Sequence, residues 1–487
     1  MPHVELPQSR CRVGVGRSDI TPPVGMYHRM WGAAAHERST GIHRPLTATA
    51  LALSPLDESD SVASRQVQLI VGIDHCLMWR PELDALRATV AQRLELAVAQ
   101  VHISFSHTHA AGLMDPARRD RPGGELIEPY LQKLSEQIAD AAQHAVAIRQ
   151  SGSVMYGTGR SSLARNRDFW DAASRQFVCG LNPAGPADDT VMVARAANDE
   201  GQLLATIVNY ACHPTTLAWD NTLVSPDYVG AMRETVEATT GAPCLFLQGA
   251  SGDLGPRHGF VGDTAVADQH GRELGYAALA ALESLPAAGK RLEYRGPVVS
   301  GATIGVWDYA PLEPAQEAAS QRFSAESFSI PLARRDDLPS VETCQVELAR
   351  LDAAIEQARG REDTEKSRDL GAHAERLRRQ ISRMRSLVSE DGLALAATLL
   401  NLGGATWVFV AAEHYQQLQV ELRARFADRP LVIATLTDGW EPGYLPTAET
   451  YGRGIYQESI ALAAAGSLEE VIQQIAARIS GSLAAGG

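Results

Sequence analysis

The sequence predicts a mixed α/β fold, an α+β sandwich, carrying an inserted antiparallel helical hairpin. Three observations support it. Strand-like apolar runs alternate with helical periodicity from Val13 to about Pro297, two heptad-patterned segments follow, and strand-like text returns before a closing helix. At 487 residues the chain exceeds what one compact core usually organises. We therefore assign a main domain to 1–300 and 393–487, and an insertion to 301–392 with its hairpin at about 340–390.

In chain order, 46–53 and 68–73 read as buried strands and 80–99 as an amphipathic helix. The run 101–109 reads as a strand ending in His107 and His109. Spaced i, i+2 on an extended backbone, these imidazoles point to one side and suit metal binding or proton transfer. A helix covers 128–148, strands cover 203–213 and 243–247, and 297–332 lacks helical period. Cys344, Leu348, Leu351, Ile355 and Ala358 step by four and three residues. After a polar break at 360–367, Leu370, Ala374, Leu377, Ile381, Met384 and Val388 do the same, which is the spacing of two packed helices. Their other faces are dense in Arg and Glu, so the hairpin is expected to pack on the body or on a second copy, without chemistry of its own. Strands at 393–400 and 406–410, a helix at 416–426 and a final helix through Leu468, Ile472, Ile475 and Ile479 complete the pattern.

Bulk properties exclude several classes. A net charge of −14 disfavours nucleic-acid and anionic-membrane surfaces. No apolar run approaches the roughly 20 residues of a membrane helix, and the first residues lack a secretion signal. The six cysteines show no Cys-X-X-Cys spacing, which predicts reduced thiols in a soluble, cytoplasmic protein.

Zinc chemistry asks for three or four N and O ligands from separate elements and an open position. His107, His213 and Glu413 each follow an apolar strand-like run and meet that demand. The glycine-rich segment 248–256 either offers backbone N–H donors to a ligand or is a tight turn with Asp253 capping a helix. It lacks the ending of a P-loop and the elbow of a serine hydrolase. A later loop concentrates Tyr444, Tyr451 and Tyr456.

These residues, taken together, resemble the neutral/alkaline (non-lysosomal) ceramidase family in its N-terminal catalytic domain and its shorter bacterial relatives. The matching pieces are Ser18-Asp-Ile-Thr-Pro-Pro-Val-Gly25, Gly41-Ile-His-Arg-Pro-Leu46, Ser106-His-Thr-His109, Asn166-Arg167, the segment 209–216, Gly252-Asp-Leu-Gly-Pro256 and Gly443-Tyr-Leu-Pro-Thr447. The resemblance implies a zinc ion held by His107, His213, Glu413 and Tyr444. It implies His109 as a proton-transfer or substrate-orienting group and Tyr456 as an oxyanion donor. Arg167 would join them, with Gly252, Asp253, Gly255, Asn166 and His43 contacting substrate. The family reaction is amide hydrolysis.

This sequence departs from the ceramidases proper in three ways. Gly255 stands where they carry a serine proposed as nucleophile, no C-terminal immunoglobulin-like domain is expected, and no export signal is read. The expectation is therefore a zinc-dependent hydrolase of an amide, lactam or ester in a small soluble substrate, with the hairpin available for homo-oligomer contacts. Its rivals are a zinc-dependent lyase or isomerase, a ceramidase acting on N-acyl sphingosine, and a non-catalytic assembly scaffold. Specificity is expected in loops 26–38 and 113–128.

Overall fold

Two β-sheets stacked face to face, with helices on both outer surfaces, form the body of the protein. A computed structural model describes residues 2–57, 66–386 and 392–486. The larger sheet contains β1 (Gln8–Asp19), β2 (Thr47–Ser54), β3 (Gln68–Ile73), β4 (Val101–Phe105), β5 (Gln150–Arg160), β6 (Thr190–Asn198), β7 (Leu203–Tyr210) and β8 (Cys244–Gln248). They lie side by side in the order β8-β7-β6-β5-β1-β2-β3-β4. Only the two edge pairs, β3 with β4 and β7 with β8, are parallel. Each is joined by a crossover that includes a helix, as parallel neighbours require: α1 (Arg80–Leu94) in the first and α3 (Tyr228–Thr240) in the second. Two further helices, α2 (Ile127–Ala147) and α4 (Thr264–Glu283), complete this outer layer.

The smaller sheet has the order β9 (Phe323–Leu332), β10 (Leu393–Leu402), β11 (Ala405–Val410), β12 (Leu431–Ala434). Strand alternation divides its side chains between two cores. Trp407 and Phe409 point inward to meet Leu51, Ile70 and Leu245 of the larger sheet. Val408 and Val410 point outward beneath α7 (Gln417–Arg425) and α8 (Ser467–Gly486). On the far side, α2 closes onto β1 where no Cβ intervenes. A Cβ on Gly14 or Gly16 would fall 2.0 Å from the carbonyl of Ala145 or Ala141. Among the described residues no helix is long and apolar enough to cross a membrane. All six cysteines are free, and five are buried.

Between β9 and β10 in sequence, α5 (Val341–Gly360) and α6 (Thr364–Ser386) pack on each other. The expected break at 360–367 shrinks to three residues, 361–363. Val388, the last expected heptad position, lies outside the described residues. Cys344, Ile381 and Met384 of the pattern pack into the core beneath the smaller sheet. The helix expected over 80–99 stops at Leu94 because Glu95 turns left-handed at φ 54°. The 297–332 stretch contains a short helix, Pro314–Ser320, between strands.

One local expectation is corrected. The strand through 101–109 ends at Phe105, and His107 has φ 67°. His107 and His109 therefore do not alternate along an extended strand. After Phe105 the backbone follows the turn beyond β3, with Ser106 N–H donating to Ile73 and His107 N–H to His75.

Candidate functional site

Segments just past strand ends deliver the site. His107 and His109 follow β4, His213 follows β7, Glu413 follows β11, and Tyr444 lies in the loop after β12. Two backbone features aim these groups. His107 holds a left-handed conformation, as does Ala412 immediately before Glu413, and such positions in non-glycine residues concentrate at functional sites. A short parallel pairing of Glu413 with Tyr444 fixes their mutual register.

The ligand atoms converge. His107 Nε2 stands 3.0 Å from His213 Nε2, and Glu413 Oε2 stands 3.2 Å from each of them. Tyr444 Oη is 3.2 Å from His213 Nε2. His109 Nε2 is 3.4 Å from His107 Nε2. The opposite nitrogens are tied to backbone: His107 Nδ1 donates to the Cys76 carbonyl at 2.7 Å and His213 Nδ1 to the Ser251 carbonyl at 2.8 Å. Those bonds place the protons on Nδ1 and leave both Nε2 atoms as lone-pair donors. Glu413 Oε2 accepts no hydrogen bond although it is buried.

Two imidazole nitrogens and a carboxylate oxygen aimed at one point are a donor set that fits a divalent cation. Cys76, His107 and His109 form a second cluster of ligand atoms. There Cys76 Sγ lies 3.5 Å from His107 Nδ1, the nitrogen that already donates to the Cys76 carbonyl.

Electrostatics follow from burial and pairing. Burial pushes His213 down to about 3, and the Arg167 charge acts in the same direction. Burial, then the neighbouring His107 and His213, lower His109 well below the ordinary histidine value. For Glu413 burial opposes ionisation, but His107 and His213 hold the carboxyl well below the usual carboxylate range. Burial and Glu413 raise the Tyr444 phenol, and Arg167, donating to its oxygen at 3.0 Å, works against that rise.

Above the cluster lies a cavity of about 360 Å³. Its lining includes His109, Arg167, Tyr444 and the half-exposed Tyr456, whose ring centroid is 6.1 Å from that of Tyr444. Met30, Trp31 and Gly32 reach it from the 26–38 loop. The 113–128 loop instead sends Arg118 and Arg121 into a neighbouring cleft.

Several expected substrate contacts do not line this cavity. Gly252 accepts Arg167 Nε and Nη2 on its carbonyl, so it orients that arginine. A Cβ there would fall 2.8 Å from the His414 carbonyl, so the bare backbone serves close packing against the Glu413 segment. The N–H groups of Gly249, Ala250 and Gly252 are all bonded within the protein and offer nothing to a ligand. Asp253 accepts the Gln416 N–H at 2.8 Å at the start of α7, so it caps a helix remote in sequence. Asn166 and Gly255 border a smaller adjoining cleft that shares Arg167 and Phe260 with the cavity. His43 is held between Ser225 and Asp268, away from the cavity, because its ring nitrogens find nearer polar partners.

The hairpin, expected to pack on the body without chemistry of its own, does pack there and also reaches the site: Ala372, Glu375, Arg376, Arg379 and Arg383 of α6 line the same cavity. Arg118 grips Glu375 through two bonds of 2.9 and 2.8 Å, and Arg379 reaches both Glu375 and the Met30 carbonyl. A Cβ on Gly32 would stand 3.0 Å from the Ala372 Cβ, so the loop and helix meet closely. Heptad reading found the buried stripe of α6 but had no means of locating its polar face.

The family model of the neutral/alkaline non-lysosomal ceramidase N-terminal domain matches residues 11–256. Among solved structures, the chain is similar to a neutral ceramidase from Pseudomonas aeruginosa, with 15% identity and a TM-score of 0.59 over 97% of this chain and 74% of that one. It is similar to a ceramidase complexed with C2 at 15% identity and a TM-score of 0.62, with the same coverage. No curated protein matches the chain.

Proposed function

Because the chain belongs to the neutral/alkaline non-lysosomal ceramidase family, we propose that it is a zinc-dependent hydrolase cleaving an amide, lactam or ester bond of a small soluble substrate. The observation that supports this reading best is the convergence of His107 Nε2, His213 Nε2 and Glu413 Oε2 within 3.0–3.2 Å of one another. His107, His213, Glu413 and Tyr444 would hold the ion. When bound, zinc supplies Lewis acidity toward the substrate carbonyl and the attacking water.

The chain's own residues do the rest. His109, kept neutral by burial, accepts a proton from the incoming water and returns it to the leaving group. Tyr456, which lines the cavity, donates its hydroxyl proton to the oxyanion. Arg167 fixes the Tyr444 oxygen at 3.0 Å and is itself fixed by the Gly252 carbonyl. Gly255 offers no hydroxyl, so attack by water is favoured over a covalent acyl-enzyme.

Turnover in ¹⁸O-labelled water tests the reaction class. A hydrolase incorporates label into the acid product, whereas unlabelled product indicates the lyase or isomerase reaction and overturns the proposal. N-acyl sphingosine included beside short N-acyl amides separates a ceramidase proper from an enzyme of small polar substrates.

A further inference from the structure

The cavity has two chemically distinct walls that meet at the candidate metal centre. On the His109 side, Trp31 lies 5.3 Å from the His109 ring, and Trp219 and Phe260 lie 6.1 and 5.7 Å from Trp31. Those aromatic rings present flat apolar surface next to the expected proton-transfer group. On the Tyr456 side, α6 contributes Arg376, Arg379 and Arg383.

Arginines outnumber carboxylates on the second wall. Glu375 is shared between Arg379 and Arg118, and Arg118 also pairs with Asp115 at 3.5 Å. Arg376 is exposed and has no hydrogen bond or ion pair among the described residues. Arg167 is bonded to a carbonyl and a phenol oxygen. An arginine-rich wall of this kind matches the planar, bidentate geometry of a carboxylate. A neutral aliphatic chain laid there would desolvate cations without replacing their hydrogen bonds. The volume of about 360 Å³ also sits near the low end of the roughly 300–1,000 Å³ of small-molecule sites.

We propose that the pocket selects an amide substrate that carries both a carboxylate, held by Arg376 and Arg383 of α6, and an aromatic or bulky apolar group packed on Trp31, Trp219 and Phe260. This rests on the amide-hydrolase reading above and adds the substrate class to it. The hairpin is then the specificity element of the site.

Two matched pairs of probes test it and locate the carboxylate. N-acetyl-L-phenylalanine and its carboxamide place the charge on the amine side. N-succinyl-2-phenylethylamine and its succinamide place it on the acyl side. Binding by calorimetry and hydrolysis by product release are measured separately on the metal-replete protein, for wild type, Arg376→Gln and Arg383→Gln, with melting curves to confirm folding. The anionic member of at least one pair should bind about tenfold or more tightly than its neutral partner, and either substitution should shrink that ratio. Anion-selective binding without hydrolysis upholds the selectivity and defeats the hydrolase reading. Hydrolysis that is indifferent to charge does the reverse. Equal binding within both pairs, or a preference that survives both substitutions, overturns the inference.

Discussion

His107, His213 and Glu413 are 1%, 1% and 8% exposed, whereas Arg376 is exposed and Arg379 and Arg383 are half-buried on the helix that roofs the same cavity. The lower group hangs from strand ends of the two-sheet body, and each side chain is fixed by a backbone carbonyl or a paired strand. The upper group rides on a helical hairpin held by the Arg118–Glu375–Arg379 ion pairs and by the Gly32–Ala372 contact. Rigid burial suits groups that must keep one geometry. A charged helix face suits groups that choose among ligands. On the roles proposed above, chemistry and selection reside on structurally separate parts.

The separation can be broken by substitution, beginning with the largest effect. His107→Ala or His213→Ala should remove metal binding and bring hydrolysis to background, as read by metal content and product release. Persistence of both would mean that the cluster is not the centre. Tyr456→Phe should lower kcat on the order of 10²–10³ while metal content stays at the wild-type level. A change confined to KM would assign Tyr456 to binding alone.

Glu375→Ala leaves Arg118, 7% exposed at its side chain, with only its longer 3.5 Å pair to Asp115, and should cost about 2–4 kcal/mol of hairpin docking. Hydrogen exchange should accelerate across 364–386 but not across β4, β7 or β11. Uniform acceleration would show that roof and body are one cooperative unit.

The smallest effect is on pH dependence. Burial lowers His28 and His270 from the ordinary 6.5 to about 4. The fold favours their neutral form, so the stability they contribute is complete above pH 6.5 and is lost as pH falls toward 4. The melting temperature should therefore decline across that window, and replacing either histidine by Gln should flatten the decline. An unchanged slope would place the acid sensitivity elsewhere.

Much of this could be read from the chain alone. The strands at 46–53, 68–73 and 406–410 are local patterns of apolar residues, and burial in the stacked sheets matches them closely. His107, His213 and Glu413 were conspicuous because each ends an apolar run. What remained hidden is tertiary. The left-handed turn at His107 depends on hydrogen bonds to residues 73 and 75. Gly252 looked like a ligand cradle, but its bareness answers to the backbone of Glu413 and His414, far away in sequence. The arginines of α6 looked like an ordinary solvated face, and only the placement of that face over the cavity gives them a task.

Metal content, measured on the full chain purified without chelators, tests the central claim most directly. One equivalent of zinc per chain in the wild type, lost in both His107→Ala and His213→Ala, is the predicted result. Wild-type protein that is active yet contains no stoichiometric metal, or substituted protein that retains it, would contradict the account.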